Sequence, residues 1–82
     1  FNVEQVPYDE LKTEFQGSSI LDMNIRQATG VSVMAYQSAQ GAFHINPPAS
    51  TVLQPEGNFI ILGSREQLDK FGTLFLIRTI TP

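Results

Sequence analysis

His44 is the only histidine in this 82-residue sequence, and no acid lies near it in sequence to orient it as a general base. Cysteine is absent, so neither a catalytic thiol nor a thiolate metal site is available, and His44 has no second nitrogen or sulfur donor beside it. A lone histidine on a strand is ordinarily a packed or rim residue. Asp9, Glu10 and Glu14 are hard oxygen donors of the kind that hold calcium. They lack the D-x-D-x-D-G spacing of a calcium loop, and an acidic loop is ordinarily just a solvated face. No G-x-G-x-x-G or phosphate loop occurs, and the six glycines are isolated turn residues. The expectation is a chain that is not an enzyme, with no catalytic site, metal or resident cofactor.

Arg26 is different. It is the only formal charge between Asp22 and Glu56, and it borders a run, residues 27–55, that contains no Asp, Glu, Lys or Arg. A guanidinium beside an uncharged surface can hold a phosphate bidentately at a site otherwise lined by aliphatic groups. The simpler reading is an exposed helix residue paired with Asp22 four positions earlier. The uncharged run itself must either be enclosed by the rest of the chain or face a partner or ligand.

Composition narrows the classes. Hydrophobic residues make up 41% of the chain, enough for one core, and 82 residues are too few for two. Five scattered cations (Lys12, Arg26, Arg65, Lys70 and Arg78) against eight acids give a net charge of −3. Nucleic acids and anionic membranes need clustered cations and are therefore poor partners. No stretch approaches the ~20 apolar residues of a membrane span. Opening on Phe1 rather than Met reads as a segment of something longer.

Phe1–Val6 reads as a strand ended by Pro7, and Tyr8–Gln16 as an acidic loop with room for a turn of helix. Ser19 and Asp22 have capping-box spacing and start a helix over residues 19–29, with Leu21, Ile25 and Ala28 as its inner stripe, Ile20 alongside and Gly30 past its end. Val31–Gln37 alternates, with Val33 and Ala35 on one face and Ser32, Met34 and Tyr36 on the other. Ser38–Gly41 is a hairpin connection and Ala42–Ile45 the returning strand. Asn46-Pro47-Pro48 leaves the sheet, and Val52 and Leu53 anchor a turn. Asn58–Leu62 is continuously apolar, as in a strand covered on both faces. Ser64 and Gln67 repeat the capping spacing ahead of a second helix with Leu68, Phe71 and Phe75 inside. Residues 73–80 fit either an extension of that helix or a last strand.

In this order, the stretches F-Q-G-S-S-I-L-D-M-N-I-R (15–26), T-G-V-S-V-M-A-Y (29–36), I-N-P-P-A-S-T-V-L-Q-P (45–55) and I-I-L-G-S-R-E-Q-L-D-K-F (60–71) resemble the C-terminal lobe of the RCK regulators of potassium conductance, the TrkA C-terminal domain family. The resemblance covers roughly residues 3–72. It departs at Glu56-Gly57, where the family has glycine–aspartate, and at Met23-Asn24-Ile25, where it has leucine–aspartate–leucine. The acidic loop 8–14 is longer than usual, and residues 73–82 have no counterpart.

The resemblance implies a single α+β domain over residues 1–82, a small pseudo-barrel in strand–helix–hairpin–strand–helix order. It further implies a cytoplasmic regulatory lobe at the inner face of the membrane, paired as a homodimer, beside a Rossmann-type RCK lobe of the same chain and a potassium channel or transporter subunit. Some such lobes bind cyclic di-AMP or another nucleotide between two copies. Carried over by position, Arg26 would clasp phosphate, Ser32 would supply a polar contact, and Ile20, Leu21, Val31, Ile45 and Pro48 would wall the pocket. The alternative is a purely structural dimerisation module with no pocket of its own.

Overall fold

Four antiparallel strands form one sheet in the order β1-β4-β2-β3, with β1 Asn2–Pro7, β2 Ser32–Gln37, β3 Phe43–Ile45 and β4 Asn58–Gly63. The computed structural model describes residues 1–77. Three helices complete it, α1 Ile20–Met23, α2 Ile25–Thr29 and α3 Arg65–Phe75. The α+β class and the element order match the expectation from sequence.

β4 is central because it is the most apolar strand, flanked by β1 and β2. Its residues alternate, however, and are not covered on both faces: Phe59, Ile61 and Gly63 are buried while Ile60 and Leu62 are half-buried. Phe59 and Ile61 meet Val6, Tyr36, Met23, Ile25, Leu68 and Phe71 in one core, closed by Leu11, Leu53, Phe75 and Leu76. Among the described residues the helical core residues gather with Phe59 and Ile61, on one face of β4.

The expected helix over 19–29 is two helices. Asn24 takes a left-handed conformation (φ 52°, ψ 44°), which stops α1 and starts α2. Its backbone N–H reaches the carbonyls of both Ile20 and Leu21. Asparagine tolerates this conformation better than most residues. The break shifts the helical phase: Met23 and Ile25 are both buried, and Leu21 swings out to 67% exposure instead of joining the inner stripe. Only half of the expected capping box forms at Ser19, whose hydroxyl accepts from the Asp22 N–H.

β2 also departs from simple alternation. Val33 pairs with Ile61 and Ala35 with Ile60, leaving Met34 as an extra residue in a bulge. The bulge inverts the pattern downstream, so Tyr36 is buried and Met34 exposed, although alternation puts them on one face. Leu53 anchors the following turn almost fully buried, whereas Val52 is only half-buried and bridges to Ser19.

The acidic loop is two short 3₁₀ turns, Tyr8–Glu10 and Thr13–Phe15. It is stitched to the end of α3: the Lys12 N–H donates to the Phe75 carbonyl at 2.9 Å, Lys12 Nζ to the Thr73 carbonyl at 2.8 Å, and the Ile77 N–H to the Glu10 carbonyl at 2.8 Å. Residues 73–75 thus extend the helix, and Leu76 bridges to Leu11. The remainder of that ambiguous stretch, from 78 on, lies outside the described residues.

A full capping box starts α3, with the Ser64 hydroxyl accepting from the Gln67 N–H and Gln67 Oε1 accepting from the Ser64 N–H. The same Gln67 side chain lies against Gly30, the left-handed residue (φ 80°) that ends α2. A Cβ at position 30 would meet Gln67 Nε2 at 2.6 Å. Gly30→Ala therefore adds a left-handed backbone penalty of about 1–2 kcal/mol to the loss of a cap worth about 1 kcal/mol. The expected outcome is a melting midpoint lowered by roughly 8–20 °C in a thermal scan. An unchanged midpoint would contradict this account of the α2–α3 junction.

Candidate functional site

The break at Asn24, the start of β2 and the turn after β3 enclose an open groove of about 340 Å³. Backbone hydrogen bonds fix its three walls. The Ile20 N–H donates to the Thr51 carbonyl at 3.0 Å and the Leu21 N–H to the Ala49 carbonyl at 2.9 Å. Those carbonyls satisfy helical N–H groups that the first turn of α1 leaves without intrahelical partners. On the opposite side, the Asn46 N–H donates to the Met34 carbonyl at 2.9 Å. The turn is thereby tied to the helix pair at one end and to the sheet at the other.

Ile20, Ile25 and Arg26 line the groove from the helices, Val31 to Met34 from β2, and Asn46, Pro47 and Ala49 from the turn. Arg26 is the only one of these with a formal charge, and only Ser32 and Asn46 add polar side chains. Arg26 is the second residue of α2 rather than the end of one long helix, and it is exposed. Among the described residues no hydrogen bond or ion pair occupies its guanidinium, so the simple pairing with Asp22 does not form. An unpaired guanidinium at the rim of an aliphatic groove can take a phosphate while the aliphatic walls cover a flat, apolar ring.

Of the residues expected at such a site, Arg26, Ser32, Ile20 and Val31 come together in the groove. Leu21, Ile45 and Pro48 do not line it. Leu21 is turned out by the break at Asn24, Ile45 is 72% exposed on the sheet edge, and Pro47 occupies the wall in place of Pro48. Ile25, Val33, Met34, Asn46, Pro47 and Ala49 were not singled out from sequence. The resemblance points at the proline turn, but only the backbone irregularities at Asn24, Met34 and Asn46 decide which side chains face inward.

The uncharged run is not enclosed. Val31, Ala35, Tyr36 and Leu53 are buried, but residues 39–46 and 48–50 are all exposed. Leu21, Met34 and Ile45 leave large apolar surfaces open on segments that border or line the groove. Such a rim suits cover by another surface better than it suits water.

The other sites considered from sequence are not assembled. His44 is exposed on β3 with its ring stacked 6.0 Å from that of Tyr36, away from the groove. Among the described residues no group of three His, Asp or Glu side chains is placed to hold a metal ion, so Asp9, Glu10 and Glu14 are not gathered into such a group. No helix among them is long and apolar enough to cross a membrane.

Comparison with known proteins gives a consistent result. The TrkA-C domain family matches residues 10–76. No curated protein matches the sequence. Among solved structures, the GsuK channel is similar at TM-score 0.75 and 27% identity, over 90% of this chain and 13% of that one. The RCK_C domain dimer of S. agalactiae BusR in complex with c-di-AMP is similar at TM-score 0.75 and 19% identity, over 90% and 95% of the two chains. The RCK C domain of the potassium transport protein KtrA in complex with cyclic di-AMP is similar at TM-score 0.73 and 22% identity, over 88% and 80%. The chain thus spans about an eighth of the GsuK channel polypeptide and most of the isolated lobes.

Proposed function

Because the chain belongs to the TrkA-C domain family, the C-terminal lobe of RCK regulators of potassium transport, we propose that it is a cytoplasmic sensing lobe. In this reading it pairs with a second copy of itself and binds a nucleotide, cyclic di-AMP first among candidates, in grooves that meet across the pair. The observation that carries the proposal is Arg26, which among the described residues has no partner and is the only formal charge lining the groove. Ser32 gives a second polar contact, and Ile20, Ile25, Val31 and Pro47 cover the base.

Size favours a shared ligand. A groove of 340 Å³ stands at the small end of the ~300–1,000 Å³ typical of ligand pockets, suited to one nucleotide unit rather than two. A symmetric dinucleotide would therefore span two copies, one unit in each. Two of the similar lobes are complexes with that dinucleotide, one of them as a dimer. The exposed apolar rim at Leu21, Met34 and Ile45 would be covered by the partner copy.

The output would be mechanical, with no reaction catalysed. A ligand bridging two copies biases their relative orientation by no more than its differential affinity for the two arrangements. Coupling of about 1–3 kcal/mol is enough to shift a transport equilibrium several-fold in the channel or transporter that carries the lobe.

Calorimetric titration of the chain with cyclic di-AMP tests the proposal, with an expected stoichiometry of one ligand per two chains. At a hundredfold excess over Kd the ligand should stabilise the fold by about 2.7 kcal/mol. That corresponds to a rise in melting midpoint of roughly 10–20 °C. No heat and no shift with cyclic di-AMP or with other nucleotides would leave only the structural dimerisation role.

A further inference from the structure

Two backbone irregularities meet at one wall of the groove. Met34 is the extra residue of the β2 bulge, and Asn46 is left-handed at φ 50° immediately before Pro47. A residue before proline ordinarily takes an extended conformation, so Asn46 is held away from its local preference. The holding contact is its own N–H, which donates to the carbonyl of Met34 at 2.9 Å. Both residues are exposed and both line the groove together with Arg26. Bulges and left-handed residues that support one another recur where a side chain must be aimed at a ligand. Among the described residues the Asn46 amide has no protein partner.

From this we infer that Asn46 is the specificity residue of the groove, reading the edge of a purine whose ring face packs on the Met34 thioether. The inference rests on the nucleotide reading of the site and adds base identity to it. An amide offers one donor and one acceptor side by side. Adenine presents the complementary pair along the edge that carries N6 and N7, a donor beside an acceptor, whereas the matching edge of guanine presents two acceptors, O6 and N7. For a base presented by that edge, the wall accordingly selects adenine. A thioether is soft and polarisable, adapts to an aromatic face and contributes no base preference of its own. Arg26, on the helical wall, holds phosphate and is indifferent to the base. The two ends of the site thus divide affinity from selectivity.

The experiment is a titration of the wild-type chain and three variants with cyclic di-AMP and cyclic di-GMP, each variant checked by thermal melting. Wild type should prefer the adenine dinucleotide by tenfold or more. Asn46→Gly keeps the left-handed turn, since glycine adopts φ 50° freely, and removes the amide. It should weaken cyclic di-AMP about tenfold and bring the two affinities close together. Asn46→Asp keeps size and shape but offers only acceptors, which repel N7 of adenine and suit the N1–H and N2–H₂ donors that guanine presents when it turns its other edge to this wall. Its preference should move toward the guanine dinucleotide. Arg26→Ala should weaken both ligands by the same factor and leave their ratio unchanged. If wild type binds and both Asn46 variants keep the wild-type ratio, the role of Asn46 is overturned while the groove stands as a nucleotide site. If wild type binds neither dinucleotide, the nucleotide reading itself is overturned and the base-reading role with it.

Discussion

Phe71→Ala is expected to destabilise the chain by about 3–5 kcal/mol, the usual cost of emptying a fully buried aromatic site. Phe71 has no exposure to solvent, and its ring lies 5.1 Å from that of Phe75, which in turn meets Phe15 edge-on at 4.9 Å. These three rings join α3 to the 3₁₀ turns of the acidic loop. The same junction carries the Lys12 hydrogen bonds to Thr73 and Phe75, so a collapse of Phe75 into the cavity pulls on both elements. A domain of this length has a total stability of about 4–12 kcal/mol, so the loss is a large share of what holds it folded. The melting midpoint should fall by roughly 15–30 °C, or the chain should be unfolded at room temperature. Phe71→Leu, which keeps most of the buried volume, should cost about 1–1.5 kcal/mol. Equal melting midpoints for Phe71→Ala and wild type would mean that the α3 packing described above is wrong.

How far the sequence reveals this molecule depends on the length scale of each signal. Caps and turns are set by a single residue type with a specific geometric need. They were legible: Ser64 with Gln67, Gly30 and the Ser38–Gly41 connection do what their types predict, and Ser19 forms half of its expected box. The central strand was legible as an element because N-F-I-I-L fits nothing else, though not as one whose alternate residues are only half-buried. What escaped were single-residue phase shifts. Asn24 between two core residues breaks one helix into two, and Met34 is absorbed in a bulge between Val33 and Ala35. Hydrophobic periodicity averages over several residues and carries no mark of such an event. Tertiary contacts decide both, because Met23 and Ile25 must both reach the core, and so must Ala35 and Tyr36.

The candidate site inherits that limit. Arg26, Ser32, Ile20 and Val31 were identifiable because family likeness transfers a position without needing the local phase. Leu21, Ile45 and Pro48 do not line this groove; each stands one residue from one that does, beside Ile20, Asn46 and Pro47 respectively. A residue on a neighbouring position of a helix or strand points to another face. Asn46 was invisible to pattern reasoning for a related reason. Its significance comes from a backbone conformation and a hydrogen bond to Met34, neither of which is written in its spacing.

Arg26→Ala should weaken binding of a phosphate-bearing nucleotide at least tenfold per contributed guanidinium, and a hundredfold or more when a symmetric ligand uses one from each copy. The reasoning is energetic. A charge-assisted hydrogen-bonded contact contributes about 1.5–3 kcal/mol, and each 1.4 kcal/mol is a factor of ten in Kd. Among the described residues no other cation lines the groove, so none of them can substitute for the lost charge. The same substitution should leave the melting midpoint of the free chain within a degree or two. Arg26 is exposed and, among the described residues, its side chain makes no hydrogen bond or ion pair on which the fold could depend. Arg26→Lys restores the charge but not the planar fork, and should recover only part of the affinity. Salt supplies a further readout: wild-type affinity should fall between low and high ionic strength, and the alanine variant should show a much flatter dependence. A variant that binds cyclic di-AMP as tightly as wild type, with the same salt dependence, would remove Arg26 from the site and leave the groove as part of a contact surface between copies.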